Sequence, residues 1–121
     1  MIEEEHDSGM DAIKSQATRR RKRLERKGVT INGVRYAGDA DTRNAIREAV
    51  DFAESAGMTA FASWKDDDGT FHANHPVADV NDALLAIAQR RSALIAREGE
   101  IHAACDDGTA TQAMLSEGWV V

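Results

Sequence analysis

The length, composition and charge of the chain exclude several classes of protein. Its 121 residues include six aromatics and one cysteine, Cys105, so the sequence predicts a single modest core and no intramolecular disulfide. No apolar run approaches the roughly eighteen residues of a membrane span, and we expect no membrane partner. The net charge of −6 is uneven, because residues 14–27 carry +7 and the remainder carries −13. Such asymmetry concerns partners and assembly. Because the core is thin, we expect packing against copies of the chain or a partner, with a homo-oligomer favoured.

The N-terminal part of the chain is predicted to hold a basic helix. Residues 1–9 are acidic and carry little apolar surface, which predicts a mobile terminus. Residues 10–28 favour helix, with Gly28 as a stop signal, and form a basic helical arm. The apolar edge of this helix is too thin for the helix to stand alone. We therefore expect the arm to dock on something, to extend, or to fold on binding.

Residues 29–121 are predicted to form a small domain of the α+β class that is mainly α. Asn32-Gly33 stands between alternating apolar residues, which predicts a β-hairpin because both residues tolerate positive φ. A helix follows to about Ala56, with Asp41 or Thr42 able to cap its start. The hairpin and this helix are the first two elements after the basic helix.

A second short β-hairpin and a long amphipathic helix complete the predicted domain. The turn of the hairpin falls at residues 66–69, and Trp64 and Phe71 could pair across its strands. The long helix runs from Pro76, which suits a first helical turn, to about Cys105. A short C-terminal helix is predicted over residues 110–116.

A dense basic run on the first helix is the strongest local signal in the sequence. Clustered Lys and Arg could neutralise the phosphates of nucleic acid. No aromatic, Asn or Gln residues interleave to read bases, however, and the whole protein is acidic. A solvated face or a contact with an acidic protein surface, including that of a neighbouring subunit, is therefore favoured. The candidate interaction residues are Arg19, Arg20, Arg21, Lys22, Arg23, Arg26 and Lys27.

No metal, cofactor or catalytic site is expected. The acidic turn before Gly69 fails the spacing of an EF-hand loop, since position one would be Trp64. A zinc site would need the pair His72 and His75 to meet the pair His102 and Cys105 in space. The chain lacks a glycine-rich phosphate loop, a G-x-S-x-G elbow and an H-E-x-x-H motif. We therefore predict that the protein is not an enzyme.

Several short motifs follow one another in a fixed order. They are a basic helix ending in Gly28-Val29, a hairpin at Ile31-Asn32-Gly33 with Tyr36, an acidic turn from Asp39 to Asp41 followed by Arg43 and the Ile46–Ala49 helix, and Trp64-Lys65 with Asp68-Gly69-Thr70-Phe71 before the long helix. This order, which covers most of residues 14–105, resembles a small domain of unknown function in tail-fibre and other tail-associated proteins of tailed bacteriophages. The strongly basic first helix and the acidic N-terminus depart from that pattern.

The resemblance implies a structural or attachment role in a phage tail or baseplate, made by protein–protein contact and without catalytic residues. It places the protein in the virion tail, assembled in the host cytoplasm, with other tail or baseplate proteins as partners. Trp64, Phe71 and Trp119 are candidate contact or core anchors, because buried aromatics dominate small interfaces. The domain's own core is the alternative for all three, and we favour it slightly.

Two other functions stay open at this point. The first is a nucleic-acid-binding accessory or regulatory protein that uses the basic helix. The second is a tail-fibre assembly chaperone that guides the fibres and leaves. A steep salt dependence of nucleic-acid binding would favour the first, and absence from purified particles would favour the second.

Overall fold

The computed structural model describes residues 2–120, with side chains from residue 9 onward. Its elements, in chain order, are α1 (Ile2–Arg26), β1 (Val29–Ile31), β2 (Val34–Tyr36), α2 (Ala40–Ser55), β3 (Ala60–Lys65), β4 (Phe71–Pro76), α3 (Val77–Asp106) and a 3-10 helix, Gln112–Ser116. The predicted α+β class, mainly helical, and the predicted order of elements are confirmed. Helix α1 begins at Ile2, eight residues before the predicted start of the basic helix at residue 10. The expected mobility of residues 1–9 is not tested and stays a prediction.

The chain divides into two compact units. The hairpin unit is Glu25–Gln89, and the helical unit combines Met1–Leu24 with Arg90–Val121. Each unit has its own cluster of buried apolar residues, whereas the sequence predicted a single core. The reason is the length of α3, about 45 Å for its 30 residues, which supplies buried side chains to both clusters.

The first hairpin of the hairpin unit follows its prediction. β1 and β2 pair antiparallel, with Val29 opposite Tyr36, and the two turn residues Asn32 and Gly33 have φ of 49° and 79°. These angles suit a tight turn that joins two strands with the usual twist. A Cβ on Gly28 would overlap the carbonyl oxygen of Tyr36, so the chain can enter β1 this closely only with glycine.

Helix α2 begins at a cap other than the predicted one. Asp39 is the N-cap, and its carboxylate accepts hydrogen bonds from the backbone N–H of Thr42, at 3.2 Å, and from the Thr42 hydroxyl, at 2.6 Å. The predicted caps failed because Asp41 and Thr42 already lie in the first turn, and Thr42 serves as the donor. The hydroxyl bond also lowers the pKa of Asp39. The buried face of the helix is Ile46, Val50 and Ala53.

The second hairpin has a register that differs from the prediction by one residue. Trp64 pairs with His72, and Phe71 pairs with Lys65, so the predicted pairing of Trp64 with Phe71 is wrong. The connecting loop contains one residue more than the predicted turn, because the Asp66 backbone N–H donates to the Thr70 carbonyl at 2.9 Å. A shift of one residue sends side chains to the opposite face of a strand.

Helix α3 starts one residue later than predicted and runs without interruption through Gly99. Pro76 is the last residue of β4, opposite Ala60, and not part of the first helical turn. Proline is tolerated there because the end of an edge strand needs no N–H donor from it. The first helical residue, Val77, donates its own N–H to the Thr59 carbonyl at 3.0 Å.

The helical unit packs α1 against the second half of α3. Ile13 and Ala17 of α1 are buried together with Ile101 and Cys105 of α3, at the spacing of one helix face in each case. Of the three possibilities for the basic helix, docking is therefore the one observed. Trp119 covers this cluster from the C-terminal side and donates its indole N–H to the Leu115 carbonyl at 2.9 Å.

Candidate functional site

A buried aromatic and histidine cluster forms the most distinctive arrangement of the hairpin unit. The Tyr36 hydroxyl of β2 lies 2.5 Å from Nε2 of His75 on β4, and both residues are buried. The His75 ring stacks on Trp64, with centroids 5.9 Å apart and planes 19° from parallel. The Phe61 ring also packs against Trp64, with the ring centroids 5.2 Å apart. β2, β3 and β4 thus meet through four rings around one hydrogen bond.

Burial sets the protonation of this pair. It raises the pKa of Tyr36 to about 12 and lowers the pKa of His75, and nearby His72 acts in the same direction when it is protonated. Asp79 opposes the shift of His75. Both partners are therefore neutral near neutral pH, and their hydrogen bond joins two uncharged groups. A neutral, enclosed pair of this kind orients strands and offers no nucleophile to solvent.

The acidic turn of the second hairpin is occupied by its own hydrogen bonds. Oδ1 of Asp66 accepts the backbone N–H groups of Asp68 and Thr70, and Oδ2 lies 2.8 Å from His72 Nε2. The His72 bond, followed by the backbone bonds, holds the pKa of Asp66 below its usual value. Over the described residues, no group of three or more His, Cys, Asp or Glu side chains could hold a metal ion.

A cavity of about 210 Å³ opens beside Tyr36 and Trp64. Arg35, one of its charged lining residues, is already engaged. The Arg35 guanidinium donates to the Thr30 hydroxyl at 3.0 Å and to the Lys27 carbonyl. These two bonds hold the arginine in place within the fold, so Arg35 presents no free cation to a ligand in the cavity.

The basic run of residues 19–27, all of it in α1 except Lys27, divides into paired or half-buried residues and exposed residues. Arg21 pairs with Glu98 of α3, and both side chains are 15% exposed. Arg20 is half-buried. The exposed members of the run are Arg19, Lys22, Arg23, Arg26 and Lys27. The sequence could not separate the two groups, since only the position of Glu98 on a distant helix decides which arginine is paired.

Glu98 is the centre of a polar network in the helical unit. Besides Arg21, it accepts a hydrogen bond from the Thr18 hydroxyl at 2.6 Å and lies 3.3 Å from His102 Nε2. Burial opposes ionisation of this carboxylate, but the bonds from Thr18 and Arg21 outweigh burial and lower its pKa. Among the described residues, His102 and Cys105, considered from the sequence as metal ligands, belong to no group of three that could hold a metal ion. His102 faces Glu98, and Cys105 is buried in the apolar cluster.

The three predicted anchors lie in different environments. Trp64 and Trp119 are half-buried and pack against the clusters of their own units. Phe71 is 68% exposed, and the Lys65 ammonium lies 5.9 Å from its ring centroid. Two further apolar side chains of the hairpin unit, Phe52 and Leu85, are each 62% exposed. Both fall outside the buried stripes of their helices, which is the sequence signal that could have identified them.

These features define a small, mainly helical α+β domain with a buried Tyr–His pair and exposed apolar and basic side chains. The chain belongs to the family described as Domain of unknown function (DUF4376), whose model matches residues 11–117. No curated protein and no solved structure shows significant similarity to it. None of the helices in the described part of the chain is long and apolar enough to cross a membrane.

Proposed function

We propose that the protein is a non-enzymatic structural or attachment component of a bacteriophage tail or baseplate, acting through protein–protein contacts. The observation that carries the contact role is the exposure of Phe52, Phe71 and Leu85, which are all more than half exposed in a unit of modest size. A contiguous patch of exposed apolar side chains marks a surface that a partner covers, and we propose that these three side chains contribute to such a patch. The order of motifs along the chain supports the tail as the setting, with other tail or baseplate proteins as partners.

Phe71 is the side chain best placed to serve as an anchor. It stands at the first residue of β4, next to a loop whose backbone is fixed by Asp66. The Lys65 ammonium lies near its ring, which limits the freedom that the ring would lose on binding. Covering an exposed Phe contributes about 1.5–3 kcal/mol, enough for a central contact residue.

The buried cluster beneath the second hairpin supports this role. Trp64 and His75, one on each strand, stack on each other, and Tyr36 ties His75 to the first hairpin. A hairpin whose inner face is fixed in this way presents its outer face in one conformation. Pre-organisation of that kind lowers the entropy cost of association.

Mass spectrometry of purified particles, from a phage engineered to encode each variant, tests the proposal. We expect the wild-type protein in the particles and a several-fold loss for Phe71→Ala, given the burial energy above. Ala73→Ser, an exposed position on the same strand, is the matched control and should be incorporated normally. Absence of the wild-type protein from particles would favour an assembly chaperone. If Phe71→Ala is incorporated as well as the wild-type protein, Phe71 is not part of the contact.

Nucleic-acid binding is the second candidate, because Arg19, Lys22 and Arg23 are exposed on α1. Exposed cations at helical spacing can follow a phosphate backbone. A binding isotherm with duplex DNA over a range of salt concentrations tests it. Steeply salt-dependent binding supports this candidate, and no retention at low salt excludes it.

A further inference from the structure

The outer face of α1 in the helical unit is a cationic surface, which we call the basic face and define as Arg19, Lys22 and Arg23. The three residues follow at intervals of three and one, so they lie on one side of the helix, opposite the buried Ile13 and Ala17. All three are exposed. None of them has a hydrogen bond or ion pair within the part of the chain that the structure describes. Arg19 and Arg23 are i,i+4 neighbours of like charge, an unfavourable arrangement that an opposite charge would relieve.

The outer face of α2 in the hairpin unit has the opposite character. This acidic face is Asp41, Glu48 and Asp51, at intervals of seven and three residues, and it lies opposite the buried side of the helix. All three carboxylates are exposed, and they too lack partners among the described residues. Phe52 follows Glu48 by four residues and is 62% exposed beside them.

We propose that the basic face of one copy of the chain docks on the acidic face of a second copy. The match is one of charge, since one helix offers three unpartnered cations and the other offers three unpartnered carboxylates. The asymmetry of the whole chain agrees with it, because the acidic charge lies outside the basic run. This inference deepens the proposed function and rests on it only in taking protein contact as the role of the chain.

The contact joins two different surfaces, so it is head-to-tail. Each copy that uses its basic face still offers its acidic face to a further copy. Contacts of this kind close into a ring or continue as a filament, and they do not stop at a symmetric dimer. The charges select the partner and set the orientation of the two helices, while Phe52 supplies apolar area against the stems and guanidinium groups of the arginines.

Light scattering of the purified protein at low and high salt, combined with charge reversal, tests the contact. We expect a mass above that of a dimer of the 13.2 kDa chain at about 0.1 M salt. The mass should fall towards that of the monomer at about 1 M salt, where the Debye length has decreased from about 10 Å to about 3 Å. The variants R19E/R23E and E48R/D51R should each weaken association by about tenfold or more.

The combined variant R19E/R23E/E48R/D51R restores the match of charge with reversed signs, and we expect it to associate again. D67K/D68K, on the exposed loop of the second hairpin, changes the net charge as much as E48R/D51R and should leave the mass unchanged. Circular dichroism and unfolding midpoints check that each variant folds. Where a reversal does not fold, the neutral variants R19Q/R23Q and E48Q/D51N replace it.

Each of the other outcomes overturns the contact. A wild-type monomer at low salt does so, as does an oligomer that neither reversal affects. Failure of the folded combined variant to associate shows that the two faces do not meet. A monomer that binds duplex DNA through Arg19 and Arg23 assigns the basic face to nucleic acid. Particle incorporation is measured separately, so a monomeric protein that is still incorporated refutes this contact and leaves the proposed function standing.

Discussion

The two units of the chain hold their helices in different ways. The hairpin unit surrounds a neutral Tyr36–His75 bond with apolar and aromatic side chains. The helical unit has a smaller cluster rich in small residues and adds an ionic network around Glu98. Arg21, from the basic run of α1, adds a polar contact to this smaller apolar cluster through its pair with Glu98. Basic residues in one stretch of sequence therefore serve two purposes, internal pairing and an exposed face.

The largest expected effect comes from removing core volume in the hairpin unit. Ile46→Ala empties part of a site that is 2% exposed and should cost about 3 kcal/mol of unfolding free energy. Denaturant unfolding followed by tryptophan fluorescence measures it, because Trp64 reports the hairpin unit and Trp119 the helical unit. Trp119→Phe and Trp64→Phe backgrounds separate the two signals.

If Ile46→Ala shifts the Trp64 transition and leaves the Trp119 transition unchanged, the two units unfold independently. An equal shift of both signals would show that they unfold as one cooperative structure. Ala45→Gly provides a matched control, since Ala45 is exposed on the same helix. Its cost should be only the loss of helix propensity, about 1 kcal/mol. A smaller effect for Ile46→Ala than for this control would contradict the assigned core.

The accuracy of the sequence predictions follows the range of the interactions involved. The hairpin at Asn32-Gly33 could be predicted because two adjacent residues set its turn. The pairing of Trp64 with Phe71 could not, because the register depends on the backbone bond between Asp66 and Thr70 that lengthens the loop. An error of one residue there was enough to misplace a candidate anchor.

The candidate sites show the same limit more strongly. Tyr36 and His75 are 39 residues apart, and no local pattern marks a tyrosine as the future partner of a particular histidine. Glu98 is likewise 77 residues from Arg21. The charge of the basic run was evident from the sequence, but the division between paired and exposed arginines required the packing of α1 against α3 within the helical unit.

A smaller effect is expected from the buried hydrogen bond itself. Tyr36→Phe removes the hydroxyl and leaves His75 Nε2 without this partner in a buried position, which should cost about 1–3 kcal/mol. The midpoint of the Trp64 transition in denaturant unfolding measures this loss of stability. Adding His75→Leu to Tyr36→Phe removes the remaining polar group of the pair. In that background His75→Leu should lower the free energy of unfolding by less than it does in the wild-type protein. Strict additivity of the two changes would show that the bond contributes nothing.

The smallest effect, a difference in response to acid, distinguishes the units directly. The pKa of His75 in the folded protein is lowered from 6.5. As pH falls, the unfolded chain therefore protonates His75 before the folded protein does. The associated stability is complete above pH 6.5 and decreases as pH falls below that value. Glu98 has a folded pKa lowered from 4.5, so its contribution persists until pH falls below 4.5. Between these values the Trp64 transition should weaken while the Trp119 transition holds.

The groups around His75 define the controls for this measurement. Asp79 attracts its proton, and His72 repels it. His75→Asn should flatten the pH dependence of the Trp64 transition above pH 4.5, whatever its effect on stability at neutral pH. Glu98→Gln should leave that dependence unchanged, because it alters the other unit. If both transitions of the wild-type protein weaken equally between pH 6.5 and 4.5, the two units do not differ in their response to acid. The contrast between the units would then be one of amino-acid composition alone.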